Sequence, residues 1–187
     1  MIIKQLKLKT ISQEDIPFLF TIYASTRKQE VDKWGWTEEQ QNTFLTMQWQ
    51  AQQASYSQQF PQASQWLILF ENNAIGRCII EDLQQYLHLI DLSILPNYQG
   101  KGIGTTVLKR LQQMVTQDEK PLCLKVLRTN PAKQLYERLG FKQIGVDELY
   151  VEMQWNEKRR RINNGRSVCR RNSNVQWSVC ASWMGIL

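Results

Sequence analysis

The stretch that decides the fold of this chain is Leu95-Pro-Asn-Tyr-Gln-Gly-Lys-Gly-Ile-Gly-Thr-Thr106. It follows an apolar run at 87–94 that is typical of a buried strand, and it leads into residues 107–114, whose apolar positions recur with helical spacing. Its glycines therefore stand where a strand turns into a helix, and they allow the backbone to turn tightly and to approach a ligand closely. The first N–H groups of a helix lack partners and carry the positive end of its dipole. The segment therefore predicts an anion site.

The spacing of the glycines excludes the two commonest nucleotide motifs. A dinucleotide fingerprint needs Gly-x-Gly-x-x-Gly, whereas here Gly100, Gly102 and Gly104 bring the third glycine too early. The phosphate loop of nucleotide triphosphatases needs Gly-Lys-Ser/Thr, and Lys101 is followed by Gly102 instead. What the segment does contain is Gln-x-x-Gly-x-Gly, beginning at Gln99.

A second segment, Asn130-Pro-Ala-Lys-Gln-Leu-Tyr-Glu-Arg-Leu-Gly-Phe141, follows a strand-like run at 122–127. In this order, the two segments resemble the coenzyme A-binding motif and the later helix of the GNAT superfamily of N-acetyltransferases. The resemblance covers residues 2–155 and is specific from about 89 to 141. It implies an enzyme that takes acetyl-CoA as co-substrate and transfers the acetyl group to a primary amine of a small molecule or peptide, by direct attack in a ternary complex.

The hydrophobic pattern predicts the element order β-α-α-β-β-β-α-β-α-β, with one or two strands at the end. Strands are expected at 2–9, 65–70, 74–81, 86–95, 122–127 and within 141–155, and helices after Ser12, at 37–54, 103–116 and 131–139, with a loop at 27–36. This order resembles the GNAT fold. The resemblance implies an α/β (α+β) architecture with a mixed, mostly antiparallel central sheet, a splayed parallel strand pair, and about four flanking helices.

The charge is distributed unevenly along the chain. Residues 156–187 hold seven of the 23 Lys and Arg and a single acidic residue, so the formal charge of +6 belongs to them and residues 1–155 are neutral overall. We therefore predict an acetyl-CoA-dependent domain at 1–155 and a basic, disordered tail at 156–187. Nucleic-acid binding is not expected apart from this tail.

Several classes of protein are not expected from the composition. No run reaches the ~18 apolar residues of a membrane span, and residues 1–10 lack the apolar core of a signal peptide, so a cytoplasmic protein with no membrane partner is predicted. The four Cys and one His show no metal-ligand spacing, so no metal site is predicted. A monomer or a homodimer is expected.

The resemblance implies how the cofactor is bound. The backbone N–H groups from Gly100 to Thr105 would hold the pyrophosphate, and those of Leu92 and Ile94 would receive the thioester carbonyl and the pantetheine arm. In full, the cofactor-binding residues so assigned are Leu92, Ile94, Gln99, Gly100, Lys101, Gly102, Ile103, Gly104, Thr105, Asn130 and Lys133.

The catalytic roles also come from the resemblance. Tyr136 matches the tyrosine that protonates the departing thiolate. A phenol with a pKa near ~10 can supply that proton to a thiolate whose conjugate acid has a pKa near ~8.5. The Leu92 N–H would stabilise the negative charge that develops on the thioester oxygen.

The candidates for the base that accepts the proton of the amine are Glu81, His88 and Asp91 in the central strands, and Asp91 or a chain of waters is favoured. Asp91 is of interest because it lies in an otherwise apolar run. His88 occupies the position at which histone-modifying relatives carry a catalytic Glu, but we interpret it as a structural histidine. Strand alternation puts His88 and Asp91 on opposite faces unless a bulge intervenes.

The acceptor is not identified by the sequence. Candidate substrate residues are Arg27, Glu30, Trp34 and Glu81, because aromatic walls and a carboxylate suit a cationic amine. Ordinary packing is an alternative for each of them. The alternative for the whole chain is a non-catalytic acyl-CoA-binding sensor or interaction module, which substitution of Tyr136 would leave unaffected.

Overall fold

The computed structural model describes residues 5–157 of the chain. The elements in this part are β1 Leu6–Thr10, α1 Ile16–Val31, α2 Glu38–Gln59, β2 Ser64–Phe70, β3 Asn73–Asp82, β4 Leu87–Ile94, α3 Ile103–Gln117, β5 Leu122–Leu127, α4 Ala132–Arg138, β6 Lys142–Val146 and β7 Tyr150–Trp155. From residue 158 onward, the predicted basic tail lies outside the described residues. The predicted domain boundary at 155 therefore stays a prediction. None of the helices in 5–157 is long and apolar enough to cross a membrane.

The strands form one sheet in the order β1-β2-β3-β4-β5-β7-β6. Every neighbouring pair is antiparallel except β4 and β5. These two are parallel, and they pair only from Leu87–Leu122 to Leu89–Leu124 before they separate. The predicted fold class, a mostly antiparallel sheet with one splayed parallel pair, is therefore confirmed.

The first two helices begin as the sequence predicts, but α1 runs further. Thr37 and Gln40 form the capping box of α2: the Thr37 N–H donates to Gln40 Oε1 at 2.9 Å, and the Gln40 N–H donates to Thr37 Oγ1 at 3.3 Å. The prediction of a loop at 27–36 is wrong for its first part, since α1 continues to Val31. The buried Val31 packs with Tyr23 and Leu45, and this tertiary contact extends the helix.

The helices cover the sheet in two layers. Side chains of α3 and α4 form the main core with one face of β3, β4 and β5, which we call the α3–α4 face. On the other face, here the α1–α2 face, Leu19 and Ile22 of α1 pack on Leu67, and Tyr56 of α2 packs with Ile79 and Ile90. The space between the separating strands β4 and β5 therefore lies between two packed layers.

Candidate active site

A groove of about 280 Å³ opens at the N-terminus of α3, between the end of β4 and the start of α4. Its walls come from the segment that decided the fold and from the second motif helix. The lining residues are Ile94, Tyr98, Gln99, Gly100, Gly102, Ile103, Gly104, Thr105, Pro131, Ala132, Leu135 and Arg138. The two motifs, roughly thirty residues apart in the chain, therefore form the two sides of one groove.

Two glycines in the groove adopt backbone conformations that favour glycine. Gly100 and Gly102 have φ angles of 71° and 78°. A Cβ built on either of them would meet no atom of the protein within 4 Å, so the space in front of both is open to a ligand. The open space beside these two glycines leaves room for a phosphate-bearing group such as coenzyme A.

The helix start supplies N–H groups to the same groove. The first N–H to bond within α3 belongs to Thr106, which donates to Gly102 O at 3.0 Å, and the Thr106 hydroxyl donates to the same oxygen at 3.0 Å. The preceding N–H groups, of Ile103, Gly104 and Thr105, have no partner earlier in the helix and point out of its end. Together with the dipole of this 15-residue helix, they create a local electrostatic environment in the groove that favours an anion.

Four of the predicted cofactor residues do not line the groove. Leu92 is buried in the main core, and the Lys101 ammonium lies over the Tyr98 ring at 5.3 Å. Asn130 Oδ1 accepts the Ala132 N–H at 2.8 Å and so helps to start α4. The fourth, Lys133, pairs with Glu137 at 3.6 Å.

Arg138 is the cationic side chain of α4 that does line the groove. The sequence contained a signal for it, because Leu135 and Arg138 follow Ala132 at intervals of three residues and so share one face of the helix. Tyr98, inside the quoted motif, is a second lining residue that was not predicted. Gln99 lies as predicted in the wall, where its Nε2 donates to Ile94 O at 2.8 Å.

The groove adjoins the gap between β4 and β5. The Leu95 N–H donates to Ile75 O of β3 at 2.9 Å. Because N–H directions alternate along a strand, the N–H groups of Leu92 and Ile94 point the other way, toward the gap. The pairing of β4 with β5 has ended before these residues, so no ladder bond uses the two N–H groups.

Tyr136 lies on α4 in the main core, with 6% of its surface exposed. Its ring meets the Phe141 ring edge-on at 5.6 Å. Burial raises the pKa of the Tyr136 phenol well above its ordinary value, and the negative charge of Asp91 and the neighbouring Cys78 raise the pKa further. A phenol with its ordinary pKa near ~10 already keeps its proton at neutral pH, and the raised pKa makes Tyr136 a weaker acid.

A bulge changes the geometry of the candidate bases. The pairing of β3 with β4 shifts register between Ile79 and Ile80, and Ile90 is the extra residue on β4. His88 contacts Phe60 of the α1–α2 face at 5.6 Å, and Asp91 stands opposite Ile79 on that same face. The bulge therefore brings His88 and Asp91 to one face, whereas an unbroken strand would separate them.

The contacts of Asp91 are those of a structural ion pair. Its Oδ2 accepts from Arg77 Nη2 at 2.6 Å and from Arg77 Nε at 2.9 Å, and its Oδ1 accepts from the Ser93 hydroxyl at 2.9 Å. All three residues are at most 5% exposed. Both carboxylate oxygens are thus engaged within the sheet, which does not favour Asp91 as the base.

The predicted substrate residues lie outside the groove. Arg27 and Glu30 pair with each other on α1 at 3.4 Å. Trp34 meets Trp36 at 4.9 Å and Phe44 at 5.3 Å, in a partly exposed aromatic cluster between α1 and α2. Glu81, by contrast, is buried on β3 directly opposite His88, close to where β4 and β5 separate.

Comparison with known proteins gives this geometry a family context. The model of the Acetyltransferase (GNAT) domain matches residues 24–153. A [ribosomal protein bS18]-alanine N-acetyltransferase of Haemophilus influenzae is 36% identical over 86 residues, which are 45% of this chain and 59% of that protein, so less than two thirds of the relative is matched.

Solved structures agree in fold. The PaiA N-acetyltransferase of Thermoplasma acidophilum, in complex with coenzyme A, superposes with a TM-score of 0.62 at 19% identity, over 81% of this chain and 99% of that chain. The ribosomal-protein-S18-alanine N-acetyltransferase of Escherichia coli gives a TM-score of 0.56 at 19% identity, over 81% and 93% of the two chains. At these identities the likeness concerns the fold alone.

Proposed function

The chain belongs to the GNAT family of acetyltransferases, and on that premise we propose that it transfers the acetyl group of acetyl-CoA to a primary amine by direct attack in a ternary complex. The observation that carries the proposal is the groove at the start of α3, which opens beside the gap between β4 and β5. The groove offers an anion site, and the gap offers backbone N–H groups that no strand uses. A phosphate-bearing thioester has matching parts for both.

In this proposal the groove binds the phosphates of acetyl-CoA. The N–H groups from Gly100 to Thr105 would donate hydrogen bonds to the pyrophosphate oxygens at the positive end of α3. Arg138 would add a charged contact from the opposite wall, because its side chain lines the groove. Lys133 is not included, because its ammonium is paired with Glu137.

The chemical step would take place in the gap. The amine nitrogen forms a bond to the thioester carbon, the carbon–sulfur bond breaks, and the sulfur leaves as a thiolate. The Leu92 N–H would stabilise the charge on the carbonyl oxygen, and the Ile94 N–H would hold the pantetheine arm. The Tyr136 phenol, which like any phenol is protonated at neutral pH, would return a proton to the sulfur.

For the proton of the amine, we propose the Glu81–His88 pair or a water that it holds. Both side chains are buried on the α1–α2 face beside the gap, and their Cα positions are partners across β3 and β4. A carboxylate beside an imidazole is a common arrangement for proton transfer. Asp91 is not proposed, because Arg77 and Ser93 occupy its oxygens.

As the acceptor we propose first the α-amine of a protein N-terminus. This choice is supported by the Haemophilus influenzae relative, whose name specifies an alanine of a ribosomal protein. The test is a panel of amines assayed for acetyl-CoA-dependent thiol release: peptides that begin with alanine, the same peptides with a blocked α-amine, lysine side chains, polyamines and free amino acids. Release with the free peptides and none with the blocked ones is expected. Tight acetyl-CoA binding without release for any amine would favour the acyl-CoA sensor instead.

A further inference from the structure

The bulge of β4 coincides with the place where its parallel partner leaves it. Ile79 pairs with Asp91 and Ile80 pairs with Leu89, so Ile90 has no partner on β3. The pairing of β4 with β5 ends at the same Leu89. Beyond this point β4 is held by β3 alone, and its other edge faces the gap.

A buried polar cluster joins β3 to β4 directly after the bulge. Arg77 of β3 contacts Asp91 at 2.6 and 2.9 Å, and Ser93, which is the register partner of Arg77, donates its hydroxyl to Asp91 at 2.9 Å. The contact is therefore a diagonal one that runs from the first to the third pair after the bulge, which are neighbours on the same face of the sheet. Arg77 also lies under Tyr56 of α2, with its guanidinium carbon 5.9 Å from the ring centroid.

The peptide between Asp91 and Leu92 carries the N–H that faces the gap. On the α1–α2 face its Asp91 side chain is held by Arg77 and Ser93. On the α3–α4 face the Leu92 side chain is 5% exposed and packs in the main core. The side chains on either side of this peptide are thus held on both faces, so the ion pair restrains the direction of the N–H.

Stability alone gives a weak reason for such a pair. Two charges that are 3% exposed lose their hydration, and an apolar pair of similar volume often stabilises a fold equally well or better. A site that must aim one N–H within a fraction of an ångström gains from a directional contact. The position of the pair next to that N–H therefore favours a role in orientation.

We propose that Arg77 and Asp91 are positioning residues that aim the Leu92 N–H at the thioester oxygen. The inference rests on the proposed function, and it assigns the pair a role that acts through the backbone. It predicts a selective defect, because acetyl-CoA has a thioester carbonyl and coenzyme A has only a thiol. Loss of the pair should weaken the binding of acetyl-CoA and turnover, and leave the binding of coenzyme A intact.

The test uses the full chain and the combined variant Arg77→Met/Asp91→Leu, which replaces the ion pair by an apolar one. Calorimetric titration of this variant should give a Kd for coenzyme A within about twofold of the wild type. The preference for acetyl-CoA, measured as the ratio of the Kd for coenzyme A to the Kd for acetyl-CoA, should be reduced, and kcat should fall about tenfold or more. Arg77→Lys, which retains the charge, should recover part of kcat. Ile79→Val removes a methylene opposite Asp91 and serves as the control: it should lower the melting temperature without changing the preference.

The outcomes distinguish failure of the positioning role from failure of the proposed function. If the double variant melts before the assay temperature, Asp91→Asn, which retains the side-chain volume, is measured by the same criteria. Equal losses for acetyl-CoA and coenzyme A, or a folded variant with wild-type kcat, would overturn the positioning role while the proposed function stands. If the wild-type protein acetylates no amine, the proposed function fails, and the inference fails with it.

Discussion

Glu81 and His88 are direct partners across β3 and β4, and both side chains are buried on the α1–α2 face, 1% and 5% exposed. The His88 ring lies edge-on to Phe60 at 5.6 Å and to Tyr86 at 6.3 Å. The register thereby places a carboxylate-bearing and an imidazole-bearing residue at partner positions on one face, one residue before the pairing of β4 with β5 ends at Leu89. This position beside the gap makes the pair the candidate for removing the proton of the incoming amine.

Glu81→Gln and His88→Gln are each expected to lower kcat by about 100-fold, because general-base catalysis contributes 10²–10⁴-fold. The Kd for acetyl-CoA should change little, since neither residue lines the groove. Steady-state kinetics together with titration calorimetry would measure both quantities. Gln52→Leu, at a buried polar residue of α2, is the control and should retain activity. Wild-type kcat in both Gln variants would remove the pair from the mechanism.

Tyr136→Phe is expected to lower kcat by about 100-fold while the Kd for acetyl-CoA stays within about threefold, because the substitution removes the proton-donating hydroxyl and leaves the ring in place. The matched variant is Tyr23→Phe, which removes the hydroxyl of a tyrosine that is equally buried but belongs to α1. It should leave kcat unchanged. If both variants behave alike, Tyr136 has no specific role in the reaction.

Tyr136 also makes the stability depend on pH at alkaline values. Burial, with Asp91 and Cys78, raises the pKa of the folded phenol above the ~10 of the unfolded chain. Above pH ~10 the unfolded state therefore binds fewer protons than the folded state, and the free energy of unfolding decreases as the pH rises. Urea unfolding at pH 8 to 11 should show a shallower decrease for Tyr136→Phe than for the wild type. Parallel curves would show that Tyr136 titrates normally.

Arg138 and Lys133 lie on the same helix, but they should differ in cofactor binding. Arg138→Met is expected to weaken coenzyme A binding about fivefold, with a smaller loss at high salt, because an exposed charge contributes about 1 kcal/mol. Lys133→Met should have little effect, since its ammonium is paired with Glu137 at 3.6 Å. Titrations at two salt concentrations would measure both effects. A larger effect of Lys133→Met would restore the assignment made from the sequence.

Gly102→Ala places a Cβ at a φ of 78°, where the protein itself offers no clash. The substitution should lower the free energy of unfolding by about 1–2 kcal/mol, because the left-handed backbone disfavours a Cβ. It should also weaken coenzyme A binding by about tenfold or more, because the Cβ projects into the open space of the groove. Gly35→Ala is the matched control, since Gly35 has a φ of 69° and equally open space but lies outside the groove. It should show the loss of stability with unchanged coenzyme A affinity.

Local sequence patterns were sufficient to predict much of the fold and the wall of the groove at the start of α3. Helical spacing predicted α3 from Ile103 to within a residue of its end, and the strand at Leu122–Leu127 was predicted with its observed bounds. The glycine spacing predicted an anion site at the start of α3, and Gly100 and Gly102 do adopt positive φ values, which favour glycine. Each of these features depends on a few consecutive residues, so the sequence carries it directly.

Other features depend on contacts between residues that are far apart in the chain. The end of α1 at Val31 is decided by packing against Leu45, and the pairing of Asp91 with Arg77 arises only because the bulge at Ile90 turns Asp91 toward that face. The sequence alone therefore left Asp91 open as a base, and no local pattern marks the bulge.

By itself, the sequence determined the order of the elements and the family, and it predicted an anion site at the start of α3. Only the tertiary structure decided which cation faces the groove, which face each polar side chain of β4 occupies, and where β4 leaves β5. The physical reason is that strand and helix periodicity are local properties of the chain. The register of a bulged strand is set by its neighbours in the sheet, and a one-residue shift moves every following side chain to the other face.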